Sequence, residues 1–219
     1  MNVLYDDESL IVAEKPVGML SEGEMSDSMP FVLSEMTGGR IFPVHRLDRG
    51  VGGVMVYAKT QRAAAKLSAQ VSERKMQKEY LAVLHGTSEE KSAVLEDLLF
   101  KDSKKNKTYV VKRERKGVKK AVLSFDTVFG GKYGGSDFTL VHVKLQTGRS
   151  HQIRVQFASR KHPLFGDGKY GAVDKEKNIA LWSYALVFFH PDTDERMRFV
   201  SEPPAQSLFG RIKAKEPLI

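Results

Sequence analysis

Strand-length apolar segments, separated by glycine-rich or acidic turns, constrain the fold of this chain more than any other feature. The clearest pair covers residues 121–129 and 138–145, with four glycines among the eight residues between them. Residues 138–145 alternate between two faces, and a glycine-rich connection between two such segments is typical of a β-hairpin. The sequence therefore predicts an antiparallel strand pair joined by this turn.

Similar patterns predict further strands and two helices. The strands are predicted at residues 3–5, 10–13, 80–84, 181–189 and 197–200. One helix is predicted at 61–75 with Thr60 as its N-cap, and a short one at 151–159 with Ser150 as its cap. Because strands outnumber helices, the sequence predicts an α+β fold with a mixed, mainly antiparallel sheet and short flanking helices.

Composition indicates one ordinary globular domain. The 219 residues are 41% hydrophobic and 28% charged, and no repeat or linker divides them, so we expect a single domain over 1–219. The absence of cysteine excludes disulfides and Cys-based zinc sites. The sequence contains no apolar run near the roughly 20 residues of a membrane span and does not begin like a signal peptide. We therefore expect a cytoplasmic protein without membrane association.

The positive charge is concentrated in one segment. Residues 101–120 contain ten lysines and arginines against two acids, whereas the rest of the chain contains 25 of each sign. A cluster of this kind favours contact with the phosphates of a nucleic acid, although a solvated loop has the same composition. We expect a basic RNA-contacting loop or hairpin at about 101–120, and the candidate contacts are Lys104, Lys105, Lys107, Arg113 and Arg115.

One carboxylate stands out for its surroundings. Asp48 lies between Arg46 and Arg49 and ahead of three glycines, directly before an apolar segment at 54–58. Glycines permit a tight turn and a close approach by a ligand, so such a turn can present a reactive carboxylate. From this segment alone, a solvated surface turn is an equally good interpretation.

Four motifs together resemble the RluA family of pseudouridine synthases. Residues 45–48 read HRLD, residues 147–154 are similar to TGRxHQIR, and residues 162–171 follow as HPxxGDxxYG. Residues 78–86 are similar to KxYxAxxxG, and a predicted hairpin near the N-terminus ends in KPxG at 15–18. The motifs occur in family order, and the resemblance extends from about residue 2 to residue 200.

The resemblance implies a role for each motif residue. Asp48 matches the family's catalytic aspartate, Arg154 matches the arginine that pairs with it, and Tyr80 matches the tyrosine that stacks on the target base. An arginine beside a carboxylate keeps it ionised and oriented. The remaining candidates are expected to contact RNA: Arg46, His45 and Arg149, of which His45 is also expected to make a structural hydrogen bond.

The resemblance also implies the reaction and the fold. Pseudouridine synthases move the uracil attachment from N1 to C5 without net oxidation, so we expect no cofactor and no metal. The expected fold is that of the family, a long mixed sheet with a central active-site cleft. We expect one catalytic domain without an S4 domain, acting as a monomer on structured ribosomal or transfer RNA.

The chain departs from the family pattern at several positions. Where the family reads HRLDxxTSG, this chain has Val51 and Gly52, which removes two hydroxyls and predicts a more flexible loop. Trp182 stands where the family's LHAxxL motif has histidine.

An inactive RNA-binding protein would keep the same fold and the basic segment, but the retention of Asp48 argues against it. A metal-dependent nuclease would need a carboxylate cluster that the sequence does not contain.

Overall fold

The computed structural model describes residues 1–213 and divides the chain into two compact units. The first unit contains Met1–Lys78 and Trp182–Glu202, and the second contains Glu79–Leu181 and residues 203–213. Within residues 1–213, no helix combines the length and hydropathy that crossing a membrane requires.

Strands dominate the described residues. The strands are β1 (Val3–Asp6), β2 (Leu10–Lys15), β3 (Phe42–Pro43), β4 (Gly52–Ala58), β5 (Gln77–His85), β6 (Ser92–Asp102), β7 (Lys107–Val111), β8 (Val118–Tyr133), β9 (Ser136–Leu145), β10 (Leu181–Phe189) and β11 (Arg196–Val200). The helices are α1 (Met29–Thr37), α2 (Gln61–Ser72), α3 (Gln152–Ala158) and α4 (Leu208–Lys213), with a short 3-10 turn at Gly168–Tyr170. The predicted α+β class is confirmed.

The first unit is built around β4. Its sheet has the order β1-β2-β4-β10-β11, with β3 also paired to β4, and the pairing of β4 with β10 is parallel. All seven residues of β4 are buried, because strands flank it and α2 packs nearby through Ala63 and Leu67. As predicted, Thr60 caps α2 by accepting a hydrogen bond from the Ala63 amide at 3.1 Å.

The second unit is a five-stranded sheet with the order β5-β9-β8-β6-β7. The predicted central hairpin is confirmed, but its strands are longer than expected. They continue to Tyr133 and Ser136, so the turn contains only Gly134 and Gly135, with φ of 58° and 82°. Positive φ at both positions is typical of a two-residue hairpin turn and is available to glycine without steric cost.

One local expectation was wrong, and another had two alternatives of which the structure shows one. Ser150 does not cap α3: the cap is His151, in a left-handed conformation with φ 52° and no capping hydrogen bond from its side chain. Of the loop or hairpin expected for the basic segment 101–120, the structure has the hairpin: the segment comprises the end of β6, all of β7 and the start of β8 with two short connections. Its cations therefore lie on and beside a three-stranded sheet.

Gly53 is the second residue of β4 and has φ 118°, and a Cβ there would lie 2.2 Å from the Ser183 carbonyl oxygen. We predict that Gly53→Ala lowers the free energy of unfolding by about 2 kcal/mol or more, because it combines backbone strain with a clash. Urea unfolding measures the change. Gly39→Ala is the matched control, since a Cβ at Gly39 meets nothing within 4 Å. Equal unfolding midpoints for the two variants would contradict this prediction.

Candidate active site

The turn that carries Asp48 is held by hydrogen bonds on both of its sides. The Val51 amide donates to the Asp48 carbonyl at 3.0 Å. On one side, the Ser21 hydroxyl donates to the Leu47 carbonyl at 2.9 Å. On the other, Arg49 donates through Nε to the Gly18 carbonyl at 2.8 Å. None of these bonds uses the two hydroxyls that the family pattern would supply at this loop.

A buried lysine lies beneath the same turn. Lys15 is fully buried, and its Nζ donates to the carbonyl oxygens of Pro16 (3.0 Å), Met19 (2.6 Å) and Arg49 (3.3 Å). Burial lowers the pKa of Lys15 to about 8, while the nearby Asp48 carboxylate opposes that shift. One side chain thus joins the KPxG motif to the turn that presents Asp48.

Two departures from the family pattern pack against each other. A Cβ on Gly52 would lie 2.4 Å from Cζ3 of Trp182, so only glycine fits beside this indole. Trp182 is buried and donates from Nε1 to the Ser201 carbonyl at 2.8 Å. The glycine at position 52, where the family has serine, and the tryptophan at position 182, where it has histidine, are therefore linked by this packing contact.

His45 and Arg46 have different surroundings. Nε2 of His45 accepts a hydrogen bond from the Val56 amide at 3.2 Å, which is a structural bond between the HRLD motif and β4. Burial, and secondarily the charge of Lys78, hold the pKa of His45 well below its usual range, so the ring is neutral. Arg46 is largely exposed and forms an ion pair with Glu22 at 2.8 Å.

In the second unit, a buried ion pair fixes Arg154. This arginine lies on α3 and donates to Asp167 through Nε (2.7 Å) and Nη2 (2.8 Å), and both side chains are at least 94% buried. Such a bidentate pair sets the direction of the guanidinium as well as its position. Asp167 is therefore a structural partner of this guanidinium, while the pairing of Arg154 with Asp48 stays a prediction.

Tyr170 joins Arg154 to the basic segment. Its ring lies 5.1 Å from the Arg154 guanidinium and 5.2 Å from the Lys107 ammonium. Its hydroxyl accepts from the Thr108 amide on β7 at 2.8 Å and contacts Nδ1 of His151 at 2.9 Å. Sequence reasoning assigned no role to Tyr170, although the tyrosine of the HPxxGDxxYG motif was the available signal.

Tyr80 and the basic candidates occupy distinct places in the second unit. Tyr80 is buried on β5, and its neighbour Glu79 pairs with His142 at 2.9 Å. Arg149 is tied to the sheet, since its Nε donates to the Lys120 carbonyl at 3.0 Å. The other candidates lie on β7 or in the connections on either side of it: Lys104, Lys105, Lys107, Arg113 and Arg115.

Taken unit by unit, the structure brings some of the predicted residues together. His45, Arg46 and Asp48 share the turn before β4 in the first unit. Arg154 and Lys107 meet around Tyr170 in the second. The buried lysine beneath Asp48 was missed as a partner of that turn, although it belongs to the KPxG motif.

In each unit a motif residue with a charged side chain is held in place: Lys15 beneath the turn of Asp48 in the first unit, and Arg154 against Asp167 in the second. Residues 9–159 match the RNA pseudouridylate synthase family. The chain therefore belongs to the RNA pseudouridylate synthases, and the predicted RluA-type assignment is confirmed. It is an RNA-modifying isomerase that converts uridine to pseudouridine.

Individual relatives agree with this assignment. The chain is 30% identical to the tRNA pseudouridine synthase C of Vibrio parahaemolyticus, covering 100% of this chain and 98% of that protein. It is 32% identical to the ribosomal large subunit pseudouridine synthase C of Buchnera aphidicola, covering 91% and 66%. The structure of human RNA pseudouridylate synthase domain containing 1 has a TM-score of 0.81 at 22% identity, covering 97% and 93%, which shows the same fold.

The lowered pKa of Lys15 predicts a pH effect on stability. Between about pH 8 and 10.5 the unfolded chain retains a proton that folded Lys15 has released, so the stability contributed by this residue rises with pH. The free energy of unfolding of the wild-type protein should therefore rise by about 3 kcal/mol over this range relative to Lys15→Met. This is the change expected when folding releases one proton.

Urea unfolding of both proteins at pH 7 to 10.5 tests this. Lys78, whose pKa burial also lowers to about 8, titrates in both proteins and cancels in the difference. A difference in unfolding free energy that stays constant with pH would contradict the assignment to Lys15.

Proposed function

We propose that Asp48, Tyr80 and Arg154 form the catalytic centre of this synthase and that its substrate is a structured transfer or ribosomal RNA. The observation that carries the proposal is the turn of Asp48, which is fixed from below by the buried Lys15 and held on both sides by hydrogen bonds. Because the backbone of this turn is fixed, little reorganisation of the chain is needed to present the carboxylate in a transition state.

The reaction needs few chemical groups. The bond from the ribose carbon to N1 of uracil breaks, the same carbon bonds to C5, C5 loses a proton and N1 gains one. Atoms and electrons balance within the substrate, so the protein must supply a carboxylate, a proton acceptor and stabilisation of the detached uracil. We assign the first role to Asp48, since a carboxylate can act covalently or electrostatically at a sugar carbon.

The other two catalytic candidates support this carboxylate. Arg154 is proposed to keep Asp48 ionised, and its bidentate pair with Asp167 holds the guanidinium in one orientation for that purpose. Tyr80 is proposed to stack on the extruded uracil and to accept the C5 proton, since enzymes acting on a nucleotide commonly hold the flipped base against an aromatic ring.

The RNA is proposed to contact basic side chains around this centre. Arg46 is exposed and forms a surface ion pair with Glu22. A phosphate can replace Glu22 in this pair at small cost in free energy. His45 and Arg149 are proposed to support the RNA-facing surface through their bonds to the backbone. The names of the two relatives, one for transfer RNA and one for ribosomal RNA, define the substrates to test first.

We predict that Asp48→Asn lowers turnover by at least about 10³-fold, because the amide cannot act as nucleophile or base. Pseudouridine is quantified by mass spectrometry in transfer RNA and large-subunit ribosomal RNA treated with purified protein. The Kd for RNA should change less than about threefold, since the substitution leaves the backbone of the turn intact.

Asp194→Asn is the matched control, because this aspartate is exposed and its left-handed φ of 55° suits asparagine. Near-normal turnover in Asp48→Asn would refute the assignment of the catalytic carboxylate. Normal RNA binding by a wild-type protein that forms no pseudouridine would instead favour the inactive RNA-binding alternative.

The basic segment makes a second prediction. Replacing Lys104, Lys105, Lys107, Arg113 and Arg115 with glutamine should weaken binding of every RNA and flatten its salt dependence. If each side chain meets one phosphate, the slope of log K against log salt falls by roughly 3 to 5. Contacts of this kind position RNA without selecting its sequence, so the ranking of different RNAs should be preserved.

A charge-matched control separates local contact from net charge. It replaces five exposed basic residues outside the segment with glutamine: Arg62, Lys66, Lys75, Lys175 and Lys177. The control should leave most of the salt slope in place. If both quintuple variants show the same slope, the segment contributes only net charge.

A further inference from the structure

The sheet face formed by β6, β7 and β8 on the side away from α3 has an unusual composition. Alternation along these strands buries Leu95, Leu99 and Leu123 on the inner side. The other side, called the outer face, should then be polar, as is normal for a solvated face of an antiparallel sheet. It instead includes Val94, Leu98, Phe100, Tyr109, Val111 and Val118, all exposed or half-buried.

The register places five of these side chains in two adjacent rows, called the strip, and Glu96 separates Val94 from it. Tyr109 on β7 lies directly opposite Phe100 on β6, which in turn lies opposite Val118 on β8. The next row along the strands contains Val111 and Leu98. Tyr109 is 37% exposed, and Val94 beyond Glu96 is 62% exposed. A contiguous exposed apolar strip of this kind indicates a binding surface.

Cations surround the strip on the same face. Because β6 lies between β7 and β8, the connection at residues 112–117 must cross β6, and its Arg115 guanidinium lies 4.7 Å from the Phe100 ring. The Lys107 ammonium lies 5.8 Å from the Tyr109 ring. The acid Glu96 on this face is already paired with Lys120 at 2.5 Å.

The chemistry of the strip selects one kind of ligand. Aromatic rings interleaved with cations fit a molecule that is flat and apolar in one part and anionic in another. Unpaired nucleotides have this character, because their bases expose both faces while each phosphate carries a negative charge. Duplex RNA does not, since its bases are stacked on one another and expose only their edges, not their faces.

We propose that the outer face binds unpaired nucleotides of the substrate RNA, with a base stacked on Tyr109 and adjacent phosphates on Lys107 and Arg115. The proposal rests on the proposed RNA-binding role of the basic segment and adds a preference for single-stranded RNA. The platform is fixed within its unit, since the amide of Thr108, next to Tyr109, donates to Tyr170, and the Tyr170 ring contacts Arg154.

The test compares single-stranded and duplex RNA on the full chain. A ten-nucleotide single strand carrying 2-aminopurine is titrated with protein, and a hairpin of equal charge is titrated in parallel. Tyr109→Ala should weaken single-strand binding roughly 5- to 100-fold and abolish the fluorescence quench, while hairpin binding changes less than about twofold. The salt slope should stay constant, because no charge is removed.

Further variants make the result specific to stacking. Tyr109→Phe keeps the ring and should bind like the wild-type protein, whereas Tyr109→Leu keeps apolar bulk without the ring and should fail like alanine. Phe31→Ala on α1 is the matched control, since Phe31 is 39% exposed and lies in the other unit. Thermal unfolding of each variant checks that a loss of binding is not a loss of fold.

Several results would overturn the proposal. These are unchanged single-strand binding in Tyr109→Ala, wild-type binding in Tyr109→Leu, or equal losses for the single strand and the hairpin. A dimer in sedimentation that Val94→Glu dissociates without affecting RNA binding would instead identify the outer face as an interface between copies. A Tyr109-dependent preference for single strands that persists without pseudouridine formation would refute the catalytic assignment and leave this proposal standing.

Discussion

The placement of Asp48 depends on one buried ammonium group. Lys15 has no contact with solvent, and three backbone carbonyls from two separate chain segments receive its hydrogen bonds. Burying a charge is costly unless polar partners surround it. Moving the turn would remove the Arg49 carbonyl from the buried ammonium, and this cost holds the turn in place. The fixed backbone around the candidate nucleophile thus follows from the hydrogen bonds that the Lys15 ammonium needs.

The second unit uses a different device for the same purpose. Arg154 is buried against Asp167 with two short hydrogen bonds, and Tyr170 lies beside the guanidinium while its hydroxyl binds the edge strand β7. A buried ion pair contributes direction more reliably than stability, because desolvation offsets much of its attraction. Arg154 and the cations of the basic segment are therefore parts of one connected structure in this unit.

The sequence was sufficient for features that depend on local patterns. The central hairpin followed from alternation and glycines, the Thr60 cap from residue type, and the family from short motifs, each of which is a continuous stretch of sequence. It was insufficient where a side chain has a distant partner. Nothing near Lys15 or Tyr170 in sequence shows which carbonyls or amides they bind. The N-cap of α3 is His151 and not Ser150, because His151 adopts a left-handed backbone conformation that residue type does not reveal.

The contact between Gly52 and Trp182 restricts how these positions can change over evolutionary time. With the indole in place, any side chain at position 52 collides with it, so a serine there is accessible only after the tryptophan has been replaced by something smaller. In the opposite direction, a tryptophan could enter only a chain that already had glycine. The two substitutions therefore have an obligatory order, and relatives that carry one of them without the other should retain glycine at position 52 rather than tryptophan at position 182.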